Sequence, residues 1–468
     1  MLCGTRKPPE DSQDAETSSS ASYRSSIRGE HEGAEDHHFA VYCPVSQTLS
    51  AGSVYALSLM SSGNGFAPLE MLGVQGQSDK HFEQGISIGD VGYFHKNGRF
   101  TYLFNIFYPA DDPIQTRHVP RKFSPVGPLS DWEIQKISDH FAPGAVVASE
   151  GVQVTQTSEP PRQIRFSSSA REGAVVVFPT GGAREDLADT SKLYPYIKEH
   201  AVDWYQSRNL YSGSENILPS PPGMNGTLFV VTGTDRATSC ATALFPMDPD
   251  VAITSHLFEY DESLENAWVA EIPSARTTYV TESMQPGQRY SIFLRGITIA
   301  LGAPSWLRHL PHIPAEDVPV YVALAKPLLP PQGRIGALLE QLRGLDKLAF
   351  PTNSKQVMFH PAMVLLQLMI DYEPSVDVAI VEDSTWCSLV GGRNLTHPQV
   401  VELLKKVIHS YEISIADGIA TLVEKPEQKT RPSLHLVLKS LLPWAKPVSF
   451  QKKALRTLPA ILHRPRSR

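Results

Sequence analysis

The order of hydrophobic and polar positions predicts a β-rich domain over residues 39–303. Its clearest element is a hairpin with arms at 86–94 and 99–107. Asn97 and Gly98 lie between the arms and suit the primed turn that matches the twist of paired strands. In the second arm a period of two predicts one buried strand face. Its members are Phe100, Tyr102, Phe104, Ile106 and Tyr108.

Short apolar runs separated by turn residues continue this pattern. Residues 173–178 read GAVVVF, a continuous run typical of a strand buried on both faces. Residues 184–208 keep a rough helical spacing, in which Pro195 is expected to kink or split the helix. Six later runs favour antiparallel sheets, so we expect an α+β fold, mainly antiparallel β with an embedded helix. They are 227–232, 239–245, 251–260, 267–272, 277–281 and 290–301.

The pattern changes after residue 303. Seven prolines between 304 and 331 predict a stiff, proline-rich linker at 304–333. Beyond it, apolar residues repeat at helical spacing, and we expect a smaller α/β unit at 334–424. Its predicted elements are helices at 335–348 and 361–371, a strand at 376–381, a helix capped by Thr396, and a hairpin about Asp417-Gly418.

Charge is distributed unevenly along the chain. Residues 1–38 hold eight acidic and four basic residues and few large apolar ones, which predicts a disordered acidic arm. From Lys425 to Arg468 there are eleven Lys or Arg and one acidic residue, Glu427. The formal net charge of −7 therefore conceals a basic tail on an acidic remainder. Leu434, Val437, Leu438, Leu441 and Leu442 keep helical spacing, so the tail is predicted to begin as a basic amphipathic helix.

Several chemistries find no support in the residues. The four cysteines are scattered and form no Cys-x-x-Cys pair. No signal-peptide core is present and no run of about 18 apolar residues spans a bilayer, so we expect an intracellular protein, cytoplasmic or nuclear. The histidines and acidic residues at 31–38 lack zinc-motif spacing, and neither a metal site nor a cofactor is predicted.

Three short segments are candidate sites with simpler alternatives. Residues 179–186, PTGGARED, follow a strand and open the predicted helix, where backbone amides can hold phosphate. They lack the lysine of a P-loop and the third glycine of a dinucleotide motif, which favours a plain turn. Residues 232–236 predict a turn between strands. Glu382 and Asp383 end a strand and are expected to be solvated or to cap the next turn.

These features leave two functional hypotheses. The first is a binding or regulatory protein without a catalytic motif, whose basic tail binds an acidic protein or an anionic membrane surface. Sequence-specific nucleic-acid binding is not expected. The alternative is an enzyme of unrecognised type with a pocket in the β-rich domain. Its candidate pocket residues are Asp90, Asp235, Arg236 and Cys240, and no catalytic residue is assigned.

Three segments together resemble a family of uncharacterised basidiomycete fungal proteins. They are 89–107 (GDVGYFHKNGRFTYLFNIF), 226–245 (GTLFVVTGTDRATSCATALF) and 359–389, which ends in EDSTWCSL. The resemblance implies a fungal intracellular origin and a recurring pair of β-rich and α/β parts. It implies no activity. Where relatives read as His or Asp followed by Asp-Asp-Glu-Trp, this chain has EDSTW at 382–386.

Overall fold

A computed structural model describes the parts of the chain from which the fold is built. They are residues 50–69, 78–95, 97–157, 161–170, 172–210, 225–245, 256–263, 268–270, 278–282, 290–310, 358, 360–390 and 397–425. All of them belong to one compact unit. The predicted acidic arm, the helix at 335–348, Thr396 and the tail after Lys425 lie outside the described residues.

The described residues form both helices and strands. The helices are α1 (Ala51–Met60), α2 (Asp79–Gln84), α3 (Leu193–Leu210), α4 (Ala303–His309), α5 (Pro361–Tyr372), α6 (Ser384–Cys387) and α7 (His397–Ser410). The first strands are β1 (Asp90–Phe94), β2 (Phe100–Asn105), β3 (Ile134–Phe141), β4 (Ala145–Ala148), β5 (Val152–Gln156), β6 (Gln163–Ser168), β7 (Gly173–Phe178) and β8 (Gly182–Leu187). The others are β9 (Leu228–Ala237), β10 (Cys240–Phe245), β11 (His256–Asp261), β12 (Trp268–Ala270), β13 (Thr278–Glu282), β14 (Tyr290–Leu301), β15 (Val378–Glu382), β16 (Tyr411–Ala416) and β17 (Ile419–Glu424).

A central nine-stranded sheet organises the fold. Its order is β16-β17-β15-β14-β9-β1-β2, and β8 joins it by pairing with β9 and with β3. Its described pairings are antiparallel except for β15 with β17, which is parallel. The predicted class, α+β with mainly antiparallel sheet, is confirmed. Helices α1 and α2 add to the single embedded helix that we expected.

Helices cover both faces of the central sheet. On one face Leu365 of α5 and Leu404 of α7 belong to a cluster of buried apolar side chains with β9 and β15. On the other face Tyr205 of α3 and Trp306 of α4 pack in a second cluster with β14. Because successive side chains of a strand point to opposite faces, a strand buried on both sides is apolar at nearly every position.

A β-sandwich adjoins this layered part. Two four-stranded sheets, β13-β10-β7-β4 and β12-β11-β6-β5, share a cluster that includes Phe166 and Val177. The opposite face of the first of these sheets packs on α1 and the beginning of β14, through Tyr55, Val176 and Ile292. The run GAVVVF is fully buried, as predicted, because it is packed on both sides.

The predicted hairpin is present, but a β-bulge divides its apolar face. Tyr102 lies opposite Gly92 and Phe104 lies opposite Val91, which leaves Leu103 as the extra residue. Phe100 and Tyr102 therefore join the cluster beneath α5, while Phe104 and Ile106 join the cluster on the other face. The single face that we expected from the period of two is wrong beyond the bulge.

The helix predicted at 184–208 is half correct. Its beginning is the strand β8, which pairs with β3 and β9, and helix α3 starts only at Leu193. Helix α3 continues through Pro195 without a break, because Pro195 occupies the first turn, where its missing N–H has no partner to lose. Residues 179–186 therefore open a strand rather than a helix, and the phosphate-binding alternative loses its helix N-terminus.

The segments on either side of the predicted linker contribute to one sheet. Strand β15 pairs with β14 over five residues, from Leu301 opposite Val378 to Ile297 opposite Glu382. The first linker residues form α4, with Pro304 in its first turn, and the linker beyond 310 lies outside the described residues. Hydrogen bonds between strands do not depend on how far apart they lie in the chain, and the described residues of 39–303 and of 334–424 share a buried apolar cluster.

A substitution at Gly302 tests this junction. Its N–H donates to the carbonyl oxygen of Asp377 at 2.9 Å, and an added Cβ would lie 1.7 Å from the carbonyl oxygen of Val376. We expect Gly302→Ala to lower the free energy of unfolding by about 1–3 kcal/mol, measured by urea denaturation. Ala303→Ser, at the exposed next position, is the control and should change it by less than about 0.5 kcal/mol. Equal effects of both variants would contradict the shared junction.

Candidate functional site

The four residues predicted as pocket candidates do not converge. Asp90 is fully buried and is saturated by internal partners. Its Oδ2 lies 2.8 Å from Nε2 of His81 and accepts the N–H of Ser87 at 2.8 Å, while its Oδ1 accepts Nδ2 of Asn105 at 2.8 Å. The His81 ring stacks on Tyr102, with centroids 3.6 Å apart. Asp90 therefore organises the end of the β1–β2 hairpin.

Arg236 and Cys240 also hold the fold together. Nη2 of Arg236 donates to the carbonyl oxygen of Ile86 at 2.6 Å, and Oγ of Ser291 donates to the same oxygen at 3.2 Å. Cys240 is buried in the apolar cluster that surrounds Tyr55. Neither of the two cavities described below is lined by any of the four candidates.

Asp235 lies in a different place, at the centre of a buried ion-pair cluster. Both of its oxygens are held by Arg184, with Nε 2.8 Å from Oδ1 and Nη2 2.7 Å from Oδ2. Nη1 of Arg295 lies 3.0 Å from Oδ1, and Nε of Arg295 donates to Asp186 at 2.6 Å. Burial acts to lower the pKa of Arg295, but Asp235 and Asp186 raise it above its ordinary value.

The strand register builds this cluster, and Gly233 makes room for it. Arg184 lies opposite Asp235 and Asp186 lies opposite Gly233 on neighbouring strands. A Cβ at Gly233 would lie 1.9 Å from Oδ1 of Asp186 and 2.9 Å from Nε of Arg295. The turn that we predicted at 232–236 is wrong, because these residues lie inside β9. Gly233 therefore leaves space for the ion pair of Asp186 and Arg295 and does not form a turn.

A second buried polar cluster surrounds Asp383, which we expected to be solvated or to cap a turn. Asp383 is instead almost fully buried, and its side chain caps no helix. Nε1 of Trp386 donates to Oδ1 at 2.9 Å and the N–H of Gly296 donates to Oδ2 at 3.0 Å. Glu382, beside it, is also held: it accepts the hydroxyls of Thr190 and Tyr194 from the α3 side.

His360, which sequence reasoning did not select as a site residue, faces this carboxyl group. Its Nε2 lies 3.3 Å from Oδ1 of Asp383, but forms no aligned hydrogen bond to any described residue. Its Nδ1 accepts the N–H of Ala362 at 3.2 Å, which places the proton of the neutral ring on Nε2. Aromatic rings surround it, with Phe66 at 5.1 Å and Trp386 at 5.6 Å between centroids. The His-Pro helix start was its only sequence signal.

Burial gives His360 and Asp383 pKa values that differ from those of the same groups in water. It lowers the pKa of His360 to about 3 and raises the pKa of Asp383 to about 8, although Trp386 and Gly296 oppose the second shift. The adjacent cavity, also lined by Thr298, has a volume of about 10 Å³, room for one water. A substrate does not fit there.

An open apolar groove lies elsewhere, between α5, the end of α7 and the β16–β17 hairpin. Its volume is about 270 Å³, close to the lower end of the roughly 300–1,000 Å³ of small-molecule sites. The walls are mainly aliphatic, with Leu365 and Leu368 from α5 and Ile413 and Leu422 from the hairpin. Ile413 and Leu422 are only partly buried, so the groove opens to solvent.

The last described residue lies at this groove. Nζ of Lys425 donates to the carbonyl oxygens of Ile408 and His409, each at 2.9 Å, and so binds the C-terminus of α7. Lys425 is also one of the residues that line the groove. The predicted basic tail therefore leaves the fold from the edge of an apolar surface.

No protein family, curated protein or solved structure matches the chain. The resemblance to basidiomycete proteins stays a prediction. Within the described ranges, no group of three or more His, Cys, Asp or Glu side chains could hold a metal ion. None of the helices in that part of the chain has the length and apolar character needed to cross a bilayer.

Removing the charge of Asp235 tests the ion-pair cluster. We expect Asp235→Asn to lower the free energy of unfolding by about 3 kcal/mol, because it leaves Arg184 and Arg295 without their shared buried carboxylate. Urea denaturation measures the change. Asp139→Asn, on the exposed part of β3, is the matched control and should cost less than about 0.5 kcal/mol. A loss below about 1 kcal/mol at Asp235 would show that the cluster does not stabilise the sheet.

The His360–Asp383 pair predicts opposite pH dependences for its two single variants. His360 titrates lower in the fold than when unfolded, so its contribution to stability is lost as the pH falls below about 6.5. Asp383 titrates higher in the fold, so its contribution is lost as the pH rises from about 4 toward 8. Relative to wild type, Asp383→Asn should lose stability when the pH falls from 6.5 to 4.5, by about 1 kcal/mol per pH unit. His360→Asn should lose stability by about the same amount per unit when the pH rises from 4.5 to 6.5.

Urea denaturation at four pH values between about 4.5 and 7.5 measures these slopes. The exposed Gln135 offers a control, since Gln135→Asn changes no titratable group and should follow the wild-type curve. Parallel curves for all three variants would show that burial does not shift the pKa values of His360 and Asp383.

Proposed function

We propose that the protein is an intracellular binding or regulatory protein, and that its basic tail, residues 425–468, attaches it to an anionic membrane surface. The observation that carries the proposal is the position of Lys425, from which the tail leaves the fold beside an apolar groove. The tail combines eleven Lys or Arg with an apolar stripe and Trp444. Basic amphipathic segments of this kind bind anionic lipid, with about 1 kcal/mol from each basic residue near the surface.

The charge of the rest of the chain supports an attachment through the tail alone. The tail carries a net +10 within a chain of −7, so residues 1–424 are strongly acidic. An anionic surface repels that acidic part and attracts the tail. The membrane is therefore favoured as partner over an acidic protein groove, because the stripe and Trp444 supply apolar area that lipid can bury.

The alternative of an enzyme gains no support from the described residues. Asp90 and Asp235 are saturated by internal partners, and Cys240 is enclosed in an apolar cluster. The pair of His360 and Asp383, which has shifted pKa values, adjoins space for one water only.

Sedimentation with lipid vesicles tests the proposal on the full chain. We expect binding to vesicles that contain phosphatidylserine and little binding to pure phosphatidylcholine, with affinity falling as salt rises. The triple variant Lys452→Glu, Lys453→Glu, Arg456→Glu should bind at least about tenfold more weakly, because three attractive charges become repulsive.

The control reverses three exposed charges outside the tail, with Arg121→Glu, Lys122→Glu and Arg308→Glu. It should reduce binding much less than the tail variant. Equal losses in both variants, or no binding to phosphatidylserine, would overturn the membrane proposal. Binding to soluble polyglutamate without binding to vesicles would assign an acidic protein as the partner instead.

A further inference from the structure

The groove between α5, α7 and the β16–β17 hairpin exposes aliphatic walls at the point where an amphipathic segment leaves the fold. We propose that residues 434–442 of the tail dock in this groove when the protein is away from a membrane. The regulatory consequence rests on the proposed function, because docking covers the apolar stripe that lipid would otherwise bury.

The chain between Lys425 and Leu434 is long enough to reach the groove, and residues 434–442 are about as long as the α5 wall of the groove. Nine residues lead from Lys425 to Leu434, and an extended chain of that length reaches about 30 Å. As a helix, residues 434–442 are about 13 Å long. The wall of α5 rises about 10 Å from Leu365 to Tyr372, both of which line the groove. The tail therefore reaches the groove from its own attachment point and spans it.

The groove matches the stripe in shape and in chemistry. Its volume of about 270 Å³ equals roughly nine waters in the liquid, which suits the ends of two or three leucine side chains rather than a whole helix. The stripe presents Leu438 and Leu441 at such spacing. Their burial against Ile413 and Leu422 removes apolar surface from water, which stabilises the docked state.

Charge favours the tail as occupant of the groove over residues 335–348, the other segment outside the described residues with an apolar helical pattern. Glu412 lines the groove and Glu424 is exposed on the same hairpin. Residues 425–442 hold four basic residues, Lys425, Lys429, Arg431 and Lys439, against the single acidic residue Glu427. Residues 335–348 carry two basic and two acidic residues, so they gain no net attraction from the two glutamates.

Docking and membrane attachment compete for the same residues. Lys439 and the leucine stripe contact either the groove or lipid, and a tail held by the groove has a lower apparent affinity for vesicles. Weakening the groove therefore strengthens membrane binding. The groove acts as an internal competitor that an anionic surface displaces.

Photocrosslinking on the full chain identifies the occupant. A benzophenone amino acid in place of the partly buried Ile413 should crosslink within the same chain to residues 434–442, as read by mass spectrometry. The same amino acid in place of Trp132, which is 80% exposed and does not line the groove, is the control and should not label that segment. Crosslinks to residues 335–348, to a second copy, or to no segment would overturn the inference.

Vesicle sedimentation then tests the competition. We expect Ile413→Asp to bind phosphatidylserine vesicles about tenfold more tightly than wild type and to expose the bond after Lys439 to trypsin. The milder Ile413→Ala should act in the same direction if Ile413→Asp does not fold. An unchanged affinity and an unchanged cleavage rate would overturn the inference.

The two proposals fail in different ways. A crosslink to 434–442 in a protein that binds no vesicles leaves the docking inference standing and removes the membrane function. Vesicle binding through the tail, without a crosslink to 434–442, leaves the function standing and removes the docking.

Discussion

The antiparallel pairing of β14 with β9 is the constraint on which the other described parts of the fold depend. Strand β14 has 12 residues and β9 has 10, and they pair along nearly their whole length. The first half of β14 packs with α1 and the β-sandwich, whereas its second half pairs with β15. One continuous strand thus joins the sandwich to the helix-covered sheet, so these parts share their stability rather than folding on separate cores.

Both buried polar clusters meet at an irregularity in this pairing. The register of β14 against β9 shifts between Arg295 and Gly296. Arg295 joins the ion pairs with Asp235 and Asp186, while the N–H of Gly296 donates to Asp383. Buried charged and polar groups are costly unless paired, so a slip of the register would leave several of them without partners. The clusters therefore specify the alignment of the strands.

The groove beside Lys425 differs from these clusters in its physical character. It is apolar and open, and it lies at the edge of the sheet where β16 and β17 end the strand order. Opposite charges are adjacent at this edge, since a strongly basic segment starts beside an acidic fold. Apolar surface and attractive charge at one place are the physical ingredients of reversible binding.

Local patterns in the sequence determined the elements that depend on neighbouring residues. The turn at Asp417-Gly418, the buried strand GAVVVF and the apolar helix α5 all follow from such patterns. The first hairpin also turns where predicted, but the N–H of Gly98 donates to the carbonyl oxygen of His95 at 2.9 Å, so Gly98 ends the turn and the predicted primed turn centred on Asn97-Gly98 is wrong. Only the tertiary structure decided that β15 extends the sheet of β14, that Leu103 forms a bulge, and that His360 faces a buried Asp383. The reason is physical: turn conformation and periodicity depend on residues a few positions apart, whereas strand partners, burial and pKa shifts depend on groups that only the folded chain brings together.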